Sequence, residues 1–113
     1  MSYSEDSLQM YAAKRLHDAC RKTVWFAVPN GSKRDKVTAA RLKQMGVRPG
    51  VADLILLTST GLPLAVELKI PKTGRQSDSQ KGFQAVWEAA GGIYLIVRTP
   101  EEVDGLVFKF GLD

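Results

Sequence analysis

A chain of 113 residues with net charge +4, 44% hydrophobic and 25% charged residues suits one soluble domain, spanning 1–113, with one real core. No stretch approaches the ~18 apolar residues of a membrane span, and the start, MSYSEDSLQM, is acidic where a secretory leader is basic and then apolar. The single cysteine, Cys20, excludes an internal disulfide, so a cytoplasmic domain without a membrane partner is expected.

Residues 4–22 predict a helix. Ser4 can cap it, Glu5 and Asp6 suit its first turn, and Leu8, Ala12, Leu16 and Ala19 recur at helical spacing. Arg21 and Lys22 favour its C-terminal end. VWFAV (24–28) reads as a strand stopped by the turn PNG, with Trp25 and Phe26 as core residues. A shorter helix is expected over 37–45, ending where Gly46 can take the C′ position. VADLILL and LPLAVELKI flank TSTG and predict an antiparallel hairpin. Ser77 and Gln80 have capping-box spacing for a helix over 78–90 that stops at Gly91-Gly92. IYLIV (93–97) follows as a buried strand, parallel to the previous one because a helix connects them. Thr99, Pro100 and Glu102 start a last helix. The order α-β-α-β-β-α-β-α predicts an α/β fold, a mixed sheet flanked by helices.

Chemistry concentrates at the end of the second hairpin strand. Strand side chains alternate, so in LAVELKI Glu67 and Lys69 share a face with Ala65, while Val66, Leu68 and Ile70 face a core. With the turn centred on Thr60, Asp53 falls opposite Glu67 on the same face; a one-residue slip would send it to the other face. Facing carboxylates repel, and a hard cation such as Mg²⁺ offsets that directly. Two carboxylates, a metal and a lysine are the parts for metal-assisted phosphodiester hydrolysis. The plainer reading is an exposed Glu–Lys pair on an edge strand with Asp53 in a turn.

Positive charge is clustered. Lys33, Arg34, Lys36, Arg41, Lys43 and Arg48 fall between Asn30 and Arg48 against Asp35 alone. Such a cluster suits a polyanion or simply a solvated face. Asn30, Lys33, Arg34, Lys36, Arg41, Arg48, Lys72 and Arg75 are the expected DNA contacts, positioning phosphates without reading sequence. His17 reads as a partly exposed helix residue, Cys20 as a packing residue, and Trp87, four after Phe83, as core or a subunit interface.

The segments SEDSLQ, VPNGSKRDKVTAARLKQMGVRPGVADLILL, AVELKIPKTGRQSDSQ and AAGGIYLIVRTPEEV, in this order, resemble the stand-alone VRR-Nuc domains of phages and bacteria, within the PD-(D/E)xK nuclease superfamily. The resemblance implies a restriction-endonuclease-like fold with Mg²⁺ or Mn²⁺ at the site. It implies Asp53 and Glu67 as catalytic metal ligands, Lys69 as the catalytic lysine, Glu5 as a further acidic ligand and Gln80 as a supporting residue. Asp6 stands beside Glu5 as an alternative ligand, and Glu5 as a mere first-turn acid; Gln80 as a cap, a site residue or both. Ala52 departs from the proline common before the aspartate, which concerns the strand entry and not the chemistry. The expected function is a structure-selective DNA endonuclease cutting four-way junctions as a homodimer. A nuclease acting on flaps or other DNA ends, or a non-catalytic basic module holding branched or single-stranded DNA, is the rival.

Overall fold

The structure is a computed structural model that describes residues 4–29 and 36–113. Asn30, Lys33 and Arg34 of the expected DNA-facing set lie outside the described residues.

Four helices and four strands follow in the expected order: α1 (Glu5–Ala19), β1 (Val24–Ala27), α2 (Lys36–Gln44), β2 (Leu54–Leu57), β3 (Pro63–Leu68), α3 (Asp78–Ala89), β4 (Ile93–Val97) and α4 (Pro100–Lys109). The helix starts obey local chemistry. The hydroxyls of Ser4, Ser77 and Thr99 accept the amide N–H of Ser7, Gln80 and Glu102, each satisfying an otherwise orphaned donor. α1 stops at Ala19 and not at residue 22. Its buried stripe is Leu8, Ala12 and Leu16, and the exposed Arg21 and Lys22 offer no apolar residue to extend it.

The sheet has the order β1-β2-β3-β4, with β1–β2 and β2–β3 antiparallel and β3–β4 parallel. In the hairpin Leu54 faces Val66, Ile55 faces Ala65, Leu56 faces Leu64 and Leu57 faces Pro63. This is the register centred on Thr60. β3 is interior, hydrogen-bonded on both sides, so the edge-strand reading of Glu67 and Lys69 is excluded.

The two faces of the sheet are covered differently. On one, Leu54, Leu56, Leu64, Val66, Leu68 and Val97 pack against Leu8, Ala12 and Leu16 of α1 and Val103, Leu106 and Val107 of α4. Each fully buried Leu or Val stabilises by about 1.5–3 kcal/mol, so this face carries most of the fold's hydrophobic stabilisation. On the other, α3 covers a small cluster of Ala52, Ala65, Phe83 and Tyr94.

α3 does not reach the outer edge of its face. Trp25 packs against the large core, as expected, but Phe26, on the opposite face of β1, is 53% exposed. The expectation that Phe26 is core fails because alternation turns it to the side where, among the described residues, no helix lies over β1. α2 buries no residue at all.

Candidate active site

The interior position of β3 makes Glu67 unusual. It is 0% exposed, on the α3 face, at the C-terminal end of the strand. Its Oε1 accepts the Tyr94 hydroxyl at 2.7 Å, and its Oε2 is buried with no hydrogen-bond partner among the described residues. Burial pushes the Glu67 carboxyl above the usual range; the Tyr94 hydroxyl and the Lys69 charge pull it down, the Asp53 charge pushes it up, and the Gln76 amide also pulls it down.

Asp53 stands one residue before β2, where its carbonyl accepts the Val28 N–H at 2.8 Å and its Oδ2 accepts the Leu68 N–H at 2.7 Å. The side chain thus bridges to the main chain one residue beyond Glu67, which anchors it across the hairpin. Burial raises the Asp53 carboxyl as well, against the lowering effects of the Leu68 amide and the Lys69 charge. Lys69 is 9% exposed, and its amide donates to the Val97 carbonyl at 3.0 Å, carrying the parallel ladder one residue past β3. Asp53, Glu67 and Lys69 are therefore brought to one place and sense one another's charge.

The loop after Lys69 is held from behind. Gly74 approaches so closely that an added Cβ would sit 2.8 Å from the Ile70 carbonyl and 3.1 Å from the Lys69 Cβ. Arg98 Nη1 donates to the carbonyls of Ile70 at 3.0 Å and Gly74 at 2.9 Å. Lys72 takes a left-handed backbone (φ 68°), uncommon for a residue with a Cβ, and its carbonyl accepts from Arg75 Nη1. The loop so shaped displays Lys72 and Arg75 in solvent beside the site. On the other flank Gly50, at φ +79°, lies against the start of α3, where a Cβ would overlap the Ser79 carbonyl. That contact seats the segment leading to Asp53 on the same helix that covers Glu67.

Two solved structures share this arrangement of elements. One, described as a VRR_NUC domain, superposes with a TM-score of 0.64 at 20% identity, covering 94% of this chain and 96% of that one. The other, a VRR_NUC domain protein, has a TM-score of 0.71 at 18% identity, covering 97% of this chain and 89% of that one. The fold is that of a VRR_NUC domain. No family model and no curated protein matches the sequence.

Within the VRR_NUC fold the remaining expected residues fall apart into groups. Glu5 and Asp6 are exposed on the first turn of α1, and no three His, Cys, Asp or Glu side chains among the described residues are grouped to hold an ion. The place of Glu5 follows from helix capping, with the acid at the positive end of the dipole. Gln80 closes the capping box: its Oε1 accepts the Ser77 N–H at 2.8 Å and its backbone N–H donates to Ser77 Oγ at 3.2 Å. Lys36 and Arg41 are exposed on α2. Arg48 joins Lys43 on one wall of an open groove of about 660 Å³, with Ser79, Gly82 and Val86 of α3 opposite.

Two residues at the site were not singled out from the sequence. Tyr94 reaches Glu67, and Gln76 reaches Tyr94. The available signal was the lone hydroxyl in the apolar run IYLIV, which must find a partner when buried. His17 is exposed, Cys20 packs at the margin of the large core, and Trp87 stacks on Phe83 while its indole N–H donates to the Ile93 carbonyl at 3.0 Å.

The donor set fits a hard divalent ion. Glu67 Oε2 is a buried oxygen without a hydrogen-bond partner among the described residues, and Asp53 lies within electrostatic reach. Mg²⁺ is commonly held by one or two protein carboxylates, with water and phosphate oxygens completing its shell. Two carboxylates suffice, so the position of Glu5 does not weaken the fit.

Proposed function

We propose that this chain is a metal-dependent, structure-selective DNA endonuclease that hydrolyses phosphodiester bonds, cutting four-way junctions as a homodimer. The observation that supports it best is Glu67, a buried carboxylate with one bare oxygen beside Asp53 and Lys69. Leaving one oxygen of a buried carboxylate without a partner carries a desolvation cost that a bound cation would offset.

Asp53 and Glu67 would hold Mg²⁺ or Mn²⁺, which when bound polarises the phosphate and makes water more acidic. Lys69 keeps a cation where negative charge grows on the phosphate and orients the attacking water. The water displaces the 3′ oxygen in line and leaves a 5′ phosphate. Lys72, Arg75 and Arg48, with Lys36 and Arg41 further out, take the DNA backbone and hold it in register without reading bases. A junction cut symmetrically needs two sites, and each chain supplies one, which is the reason for a two-fold dimer.

The test is cleavage of labelled linear, flap and four-way-junction DNA with Mg²⁺, Mn²⁺ or EDTA, by wild type and Lys69→Ala. We expect junction cleavage that needs the divalent ion and is lost in the variant, with a dimer in solution by light scattering. Binding of all three DNAs without cleavage would establish the non-catalytic module instead, and cleavage of flaps alone would replace the junction.

A further inference from the structure

Glu67 has a hydrogen-bonded support that runs from α3 to the carboxylate. Gln84 on α3 presents Oε1 to Gln76 Nε2 at 2.9 Å. Gln76 Nε2 also points at the Tyr94 hydroxyl oxygen at 3.4 Å. The Tyr94 hydroxyl donates to Glu67 Oε1 at 2.7 Å, the short distance of a charge-assisted bond. A phenol has a single proton to give, and an amide N–H arriving on its oxygen leaves that proton directed to Glu67.

The geometry of the sheet makes this contact possible. Tyr94 pairs with Ala65 in the parallel register, and Glu67 lies two residues further along β3 on the same face. Ala65 is small enough to leave room for the ring over the strand. Phe83 packs on the ring with centroids 6.3 Å apart, and Tyr94 is only 8% exposed, so the phenol has little freedom to swing away. The carboxylate is consequently tied by one oxygen and bare at the other.

We propose that Tyr94 is a positioning residue for Glu67, and that the chain Gln84–Gln76–Tyr94 fixes Oε1 so that Oε2 is presented to the divalent ion. This rests on the reading of Glu67 as a metal ligand. Partners that orient a ligating side chain tune metal affinity, and their loss weakens binding about 10–100-fold.

The experiment is Mn²⁺ binding without DNA, followed by electron paramagnetic resonance and calorimetry, on wild type, Tyr94→Phe, Gln76→Leu and Glu67→Gln. Tyr94→Phe keeps the ring and removes only the hydroxyl. We expect Mn²⁺ affinity to fall about 10–100-fold in Tyr94→Phe and by less in Gln76→Leu, and binding to vanish in Glu67→Gln. In cleavage assays the Tyr94→Phe loss should be largely recovered by raising Mn²⁺, a change in the ion requirement and not in the saturated rate. Phe83→Leu, which loosens the packing but keeps the hydroxyl, should bind Mn²⁺ more tightly than Tyr94→Phe. If Tyr94→Phe unfolds, Gln76→Leu, altered in a half-buried loop, carries the test. Equal affinity of wild type and both hydrogen-bond variants, with Glu67→Gln unable to bind, overturns the positioning role alone. A wild type that binds no Mn²⁺ overturns this role and the metal-ligand reading together.

Discussion

The two faces of one sheet divide the work of this molecule. The face under α1 and α4 packs a large apolar cluster, from Leu8 to Leu112. The face under α3 has a four-residue core and, at its edge, Asp53, Glu67 and Lys69. Alternation along β3 alone separates them: Leu64, Val66 and Leu68 stabilise one side, and Ala65, Glu67 and Lys69 furnish the other. A strand buried on both faces thus supports stability and a charged site at once, with the stable face offsetting the cost of the charged one.

That division can be tested by substitution on each side. The largest expected effect is Glu67→Gln, which should lower DNA cleavage by several kcal/mol of transition-state stabilisation, about a thousand-fold, while leaving the metal-free melting temperature unchanged or higher. Single-turnover cleavage and thermal melting of the same preparation check it, and a lowered melting temperature would mean that Glu67 stabilises the fold. Leu64→Ala, next to it in the strand but on the other face, should do the reverse. It should cost about 2–5 kcal/mol of unfolding free energy, read by urea denaturation, and spare the rate per folded molecule.

The third prediction concerns pH. Burial raises the Glu67 and Asp53 carboxyls above their unfolded values near 4. Between the unfolded and folded values the native state holds more protons than the unfolded one. The stability they contribute is therefore full below the unfolded value and declines as pH rises through the folded value. Metal-free protein should lose stability across that interval by up to about 1.4 kcal/mol per pH unit for each such proton. Glu67→Gln should flatten the slope, and saturating Mg²⁺ should reverse it. Urea titrations with and without the ion read both.

The smallest effect separates cap from chemistry at Gln80. Gln80→Ala removes half of the capping box and should cost about 1 kcal/mol. Gln80→Glu should restore the cap. Cleavage that stays low in Gln80→Glu while stability recovers would assign this residue to the site as well.

Legibility followed the range of the interactions. Caps at Ser4, Ser77 and Thr99 involve partners three residues away and were readable from spacing. The hairpin register centred on Thr60 was compatible with the apolar alternation, and the strand pairing selected it. The bond from Tyr94 to Glu67 joins residues 27 apart through a parallel pairing, and nothing local announces it. Phe26 went the other way: it has the right local pattern, but it sits on a face of β1 that leaves it 53% exposed.

The hairpin register that sets Asp53 across from Glu67 was compatible with the apolar pattern, and the structure fixed it. By itself the sequence determined the elements, their order and the face that Glu67 and Lys69 share. These follow from periodicity, capping and turn length, all short-range rules. Only the tertiary structure decided that β3 is interior, which turns an ordinary Glu–Lys pair into a buried carboxylate beside a nearly buried lysine. It alone decided which oxygen of that carboxylate is tied to Tyr94 and which is left bare, because burial and long-range contacts depend on which helix covers which face.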